Sequence, residues 1–338
     1  MRPLRGFLDA DYTRLEGAFN DVGLDQARAL EAHDLRSRIL SSGRRIENLE
    51  TESSLTKPKG AGFLSGDSSS AVRELRYHAL WGVHSACVYA VYDGVEHEDV
   101  LVGHGKVRYR DMLYSSELKV GSIVPYSEVD LRANSIRVLR EVSHMLRCLE
   151  ELSSEGRRVD YVLLDGSMQT NLRNLAGKGG GFKEDSEALA ALRKLMSHGN
   201  LVGLVEDSHA TDLSRELGFD YTNMLLFDVA LSPGEYMTDE RDGVFICYLK
   251  LPSKAVDYLP SRTASPLTVR WEFNKKDFRD DLNLLSGIWL SEDDLLHPQL
   301  YPIRVTDYLT RKLKVGGILD SFAQEKGLDL KYRDMREG

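Results

Sequence analysis

With 338 residues, 42% of them hydrophobic and 29% charged, the chain can bury the core of one elaborate domain or two ordinary ones. A formal net charge of −9 argues against a passive, sequence-independent nucleic-acid coat, which has to be basic, while leaving room for a local basic groove. No run of about 18 uninterrupted apolar residues occurs, and MRPLRGFLDADY reaches acids before a signal-peptide core can form, so a cytoplasmic protein outside the membrane is expected.

Three cysteines, Cys87, Cys148 and Cys247, are far apart, odd in number and set among apolar residues. They read as buried free thiols in a reducing compartment rather than as disulfides or a zinc site.

Residues 7–50 carry apolar positions (Leu8, Tyr12, Leu15, Phe19, then Leu24, Ala27, Leu30, Leu35, Ile39) at three- and four-residue steps, the period of an amphipathic helical arm. TESSLTKPKG, residues 51–60, reads as a linker. AGFLSGDSSS, residues 61–70, is a short apolar run expected to end as a strand at Asp67; an Asx-type turn or a helix cap is the plain alternative. Residues 79–92 and 100–114 are β-prone, and strands in succession ahead of a long helix suggest a meander opening a mixed sheet.

The spacing predicts a helix over 130–152. Val138, Glu141, Met145, Cys148 and Leu152 share one row at helical steps, which places the Glu141 carboxylate on the buried edge. A structural pairing with Arg137 or Arg140 is the competing reading.

RRVDYVLLDGSMQTNLRN, residues 157–174, organises the chain. Val159 to Leu164 is a buried-strand pattern that stops on Asp165-Gly166-Ser167, delivering a carboxylate to a sheet end with a tight turn behind it. The following GKGGG, residues 177–181, lacks the Gly-Lys-Ser/Thr of a phosphate-binding loop; it reads as a plain flexible surface loop, with a mobile basic loop that approaches phosphates as the functional alternative. Later segments read as a helix over 184–198, strands over 201–205, 244–251 and 267–273, a helix beginning near Ala210, a turn at Pro233-Gly234, and a helix over 300–314 with Asp307 in its first turns.

Two strand-end aspartates and an inward helix glutamate supply what a hard divalent cation, Mn²⁺ or Mg²⁺, requires: oxygen ligands, negative charge and room for water and phosphate oxygens. Clustered without a metal, such acids are expected to show raised pKa values and to cost stability. A two-carboxylate sugar hydrolase needs no ion, but aromatic residues at 8% are sparse for a sugar cleft. His144 and His209 are candidate proton carriers.

At these residues the sequence resembles the NurA nuclease family, partners of the HerA DNA-translocating ATPase. GDSSS, IRVLREVSHML, VLLDGS, LVGLVEDS, ALSPGEYM and YPIRVTD occur in the family's order from about Ala61 to Asp307. The resemblance implies an RNase H-like α/β fold with a mixed central sheet, Mn²⁺- or Mg²⁺-dependent DNA cleavage from 5′ ends, homodimerisation and docking on a hexameric HerA-type ATPase for end processing. The domains expected are a helical arm and linker over 1–60, the nuclease domain over 61–331 and a charged tail over 332–338. Asp67, Glu141 and Asp165 match the family's metal ligands, and Asp307 its C-terminal acidic or His position. Arg137, Arg140, Arg173, Lys178 and Lys183 are the basic residues expected to guide DNA. The first motif reads Gly66-Asp67-Ser68 where the family has Asp-Gly-Ser, and Glu206 stands where the family often has Lys, so a non-catalytic platform that binds HerA or DNA is the alternative.

Overall fold

A computed structural model describes residues 32–49, 59–75, 78–95, 107–123, 129–177, 182–205, 210–252, 268–292 and 299–328. Most of the helical arm and linker, the charged tail, the His104-Gly105 turn, Lys178, Glu206 and His209 lie outside these residues.

The protein is mixed α/β, with a nine-stranded central sheet flanked by helices. In chain order the strands are β1 (Ile46–Asn48), β2 (Gly62–Glu74), β3 (Ala79–Val95), β4 (Val107–Ile123), β5 (Tyr161–Asp165), β6 (Leu201–Val205), β7 (Glu235–Arg241), β8 (Val244–Lys250) and β9 (Thr268–Phe273); they are hydrogen-bonded in the order β1-β7-β8-β9-β6-β5-β2-β3-β4. β2, β3 and β4 form an antiparallel meander, and β5 and β6 add to the other side of β2 in parallel. The meander expectation holds, and β5 and β6 are short and apolar because a parallel strand is covered on both faces.

The helices are α1 (Ala32–Ser41), α2 (Val129–Ser154), α3 (Met168–Gly177), α4 (Lys183–Met196), α5 (Asp212–Glu216), α6 (Asn223–Ala230), α7 (Arg279–Leu290), α8 (Tyr301–Lys312) and α9 (Val315–Glu325). The arm was expected to run helical to residue 50. Instead α1 stops at Ser41, and residues 46–48 pair antiparallel with β7.

The chain divides into two compact units. One draws on residues 1–49, 207–239 and 247–270; there α1 packs on α6, Arg36 forms an ion pair with Glu235, and Phe227 meets Tyr248 at 4.5 Å between ring centroids. The other, drawing on residues 50–206, 240–246 and 271–338, holds the meander, β5, β6 and the helices α2, α8 and α9 that pack on β2 and β3.

Successive side chains of a strand point to opposite faces of its sheet, and β2 shows both faces. Ser65, Asp67 and Ser69 meet α8, through Pro302, Thr310 and Thr310 respectively. Gly66 and Ser68 meet α2, where a Cβ on Gly66 would overlap the Met145 side chain and Ser68 bonds Glu141. β4 closes the order as an edge strand; Tyr114 is 77% and Val120 57% exposed, interleaved with Arg108, Arg110, Glu117 and Lys119, and register shifts interrupt its pairing near Tyr89 and Tyr92 of β3.

Candidate metal centre

The Asp165 turn is fixed by its own sequence. Gly166 has φ +107°, a region open to glycine and costly for other residues, and this reverses the chain at the end of β5. Ser167 then caps α3, accepting from the Thr170 N–H at 2.9 Å, as an N-cap serine does for the third helical residue. Glu272, fully buried on β9, accepts from the Ser167 hydroxyl at 2.7 Å and the Gln169 N–H at 2.9 Å, placing a negative charge at the helix N-terminus. Gly203 of β6 lies against this turn; a Cβ there would stand 2.7 Å from the Gly166 carbonyl oxygen.

From this turn the Asp165 carboxylate reaches Asp67 and Asp307. One carboxylate oxygen from each of the three lies within 4.8 Å of the other two, and all three residues are half-buried. Asp67 was expected at a strand end; it lies inside β2, so the Asx-turn and capping readings fall away and the strand pleat aims its carboxylate at α8. Asp307 comes from α8, whose start is pinned by Glu292: this buried carboxylate accepts from the Tyr301 N–H at 3.1 Å and from Arg304 at 2.7 Å.

Two residues that the sequence reading did not single out hold the aspartates in place. Gln299 donates through Nε2 to Asp165 at 2.9 Å, and the Thr310 hydroxyl donates to Asp67 at 2.5 Å. Thr310 follows Asp307 by three residues on the same helix, a spacing that puts both on one face; that was the available signal. Gln299 carried none, because its partner lies 134 positions away.

Glu141 occupies the other side of β2. It is 3% exposed, accepts from Ser68 and from Arg137 at 2.9 Å, and is not among the three mutually close carboxylates. Burial raises its pKa to about 7; the Asp67 charge adds to the rise, against the Arg137 and Ser68 contacts. The expected pairing with Arg137 is therefore present, on a carboxylate that still feels Asp67 through the strand.

Of the other basic residues, Arg140 stacks over the Trp81 ring at 5.7 Å, Lys183 pairs with Glu187 at 3.2 Å, and Arg173 is exposed on α3. His144 is buried between Ser85 and Ser115, to which its Nδ1 and Nε2 bond at 3.0 and 2.9 Å.

The aspartates suit a hard divalent cation on chemical grounds. The donors are all carboxylate oxygens, and they are half-buried so that water and substrate oxygens can complete a coordination sphere.

The profile of the NurA domain matches residues 62–307, well over half of the chain. Among solved structures, the fold is similar to the NurA nuclease from Sulfolobus solfataricus, at 14% identity and TM-score 0.51 over 92% of this chain and 98% of that one. It is similar to a NurA with manganese, at 11% identity and TM-score 0.54 over the same shares, and to a NurA bound to dAMP and manganese, at 10% identity and TM-score 0.51 over 88% and 93%. No match was found among curated proteins.

Proposed function

Because the chain belongs to the NurA domain family, we propose that it is a deoxyribonuclease dependent on Mn²⁺ or Mg²⁺. The observation that carries this reading is the convergence of Asp67, Asp165 and Asp307 from a strand interior, a strand end and a helix. A solved relative is described with manganese and another with dAMP and manganese, which supports the same ion and substrate class here.

In this reading Asp67, Asp165 and Asp307 hold the ion, and Glu141 is the fourth acid, available to a second ion or to water once Arg137 is drawn to a phosphate. The ion supplies Lewis acidity: it acidifies water at the site and offsets charge developing on the phosphodiester. The chain's own residues do the rest. Gln299 and Thr310 fix the carboxylate orientations, and Glu272 holds the turn that carries Asp165. Arg137 offers a guanidinium fork suited to phosphate oxygens. Arg140, Arg173, Lys178 and Lys183 are assigned to guiding the DNA backbone.

Exonuclease action from 5′ ends, homodimerisation, docking on a HerA-type hexameric ATPase, an RNase H-like classification and a cytoplasmic location complete the proposal, supported by family membership. Among the described residues no helix is long and apolar enough to cross a membrane.

The test is cleavage of end-labelled linear single- and double-stranded DNA by wild type and Asp165→Ala, with Mn²⁺ and with chelator, alone and with a HerA-type partner. Cleavage that needs metal and vanishes in the variant supports the proposal. Absence of cleavage in every condition together with absence of Mn²⁺ binding overturns it and leaves a DNA- or ATPase-binding platform.

A further inference from the structure

On the α2 face of the meander, across β2 from the aspartates, lies a second group of donors. Cys87 of β3 and His144 and Cys148 of α2 are all buried, and one donor atom from each lies within 4.8 Å of the other two. His144 and Cys148 are four residues apart, so one helix face carries both. Cys87 is in register with Gly66, whose missing side chain lets Met145 of α2 come close to the sheet. We propose that Cys87, His144 and Cys148 form a structural site for one borderline-soft cation of the Zn²⁺ class, separate from the hard-ion centre at the aspartates.

The donor chemistry sets the selectivity. Two thiolates and an imidazole favour Zn²⁺ over Mn²⁺ or Mg²⁺, which prefer oxygen. Tetrahedral zinc with sulfur at about 2.3 Å holds its donors roughly 3.5–4 Å apart, close to the 4.8 Å within which these three donor atoms already lie. Both sulfurs bind a metal as thiolates, so loading the site releases their protons.

Ser85 and Ser115 complete the arrangement. Each bonds one imidazole nitrogen; when one nitrogen turns to the ion, the other keeps its serine, which fixes the tautomer as partners of metal-bound histidines do. A water supplies the fourth ligand of the tetrahedral ion. An ion here ties β3 to α2, the helix that carries Arg137 and Glu141, so its removal loosens the wall behind the aspartates without touching them.

The full chain, expressed in zinc-supplemented medium and dialysed against excess Mg²⁺, is analysed for bound metal, and its Co²⁺-substituted form by absorption spectroscopy. One zinc per chain is expected, retained in Asp165→Asn and in Cys247→Ser and lost in Cys87→Ser and Cys148→Ser. The cobalt form is expected to show thiolate-to-cobalt charge-transfer absorption and the visible bands of a tetrahedral ion. Should the cysteine variants not fold, the wild-type cobalt spectrum decides alone. Absence of retained zinc, a cobalt spectrum without thiolate bands, or an intact mass two hydrogens light with Cys87 and Cys148 blocked as a disulfide each overturns the proposal. The result is independent of whether the chain cleaves DNA.

Discussion

Glu141→Gln in the metal-free protein probes the cost of burying this carboxylate, to which the nearby Asp67 charge adds. Burial and Asp67 lift the Glu141 carboxyl from an ordinary 4.5 to about 7, so the fold prefers this group protonated. The sign follows by linkage: above pH 7 the carboxylate is charged in both folded and unfolded chains and the fold bears the full penalty. The penalty shrinks as pH falls through 7 and is gone below 4.5, where both states are protonated. Each pH unit between those values is worth about 1.4 kcal/mol, which makes the whole effect about 3 kcal/mol. Urea denaturation in chelator at pH 8 and pH 5 measures it. Between pH 8 and pH 5 wild type is expected to gain about 2.5 kcal/mol more than Glu141→Gln, and the variant to be the more stable of the two at pH 8. Saturating Mn²⁺ is expected to reduce the difference, since a cation favours the carboxylate. Equal pH dependence in both proteins refutes the electrostatic account and leaves Glu141 a plain ion-pair partner of Arg137.

Gly203→Ala places a methyl group against the Gly166 carbonyl; expected are a loss of about 1–3 kcal/mol in stability and weaker Mn²⁺ binding by titration, while Gly199→Ala, with open space around its Cα, leaves both unchanged. Glu272→Ala strands the Ser167 hydroxyl and the Gln169 N–H, at a cost of about 2–3 kcal/mol read by urea midpoint. Glu235 is held below its usual pKa first by Arg36 and then by the Ser232 N–H, so its contribution is present above about pH 4.3 and is lost as pH falls through the folded value. The stability gap between wild type and Glu235→Gln is expected to be open at pH 7 and to close as the pH falls through the depressed folded value; a gap unchanged by acid contradicts this.

How far the sequence discloses the site depends on how local each cause is. Asp165 is visible because everything that shapes it is contiguous: an apolar strand, a glycine at positive φ, a serine cap. Asp67 is visible as a residue but not as a place, because the strand runs on through Ser68 to Glu74 past polar residues that pair with facing helices instead of ending it. The row of Val138, Glu141 and Met145 reveals that Glu141 is inward, yet the pleat of β2 decides that it faces Ser68 and not the aspartates. Gln299 and Thr310 act across 134 and 243 positions, and no short-range period encodes such bonds. The same limit hid the proximity of Cys87 to Cys148, which sit on different elements and read separately as ordinary core thiols. Helices α7 and α9 and strand β7 were likewise not anticipated; the long apolar contents of α7 are buried nearly all round, so it lacks the polar stripe that marks a surface helix.

β4 leaves a trace that solution exchange can follow. In an antiparallel edge strand, alternate amides bond inward while the intervening ones face solvent, so deuterium uptake along residues 107–123 should rise and fall every second residue in the isolated chain. The charges set among Tyr114, Leu118 and Val120 discourage casual pairing at this edge, and only a partner that offers a complementary strand can silence the fast amides. A flattened uptake pattern over this segment, with β2 and β3 unchanged, is therefore a residue-level signal that another strand has joined the sheet.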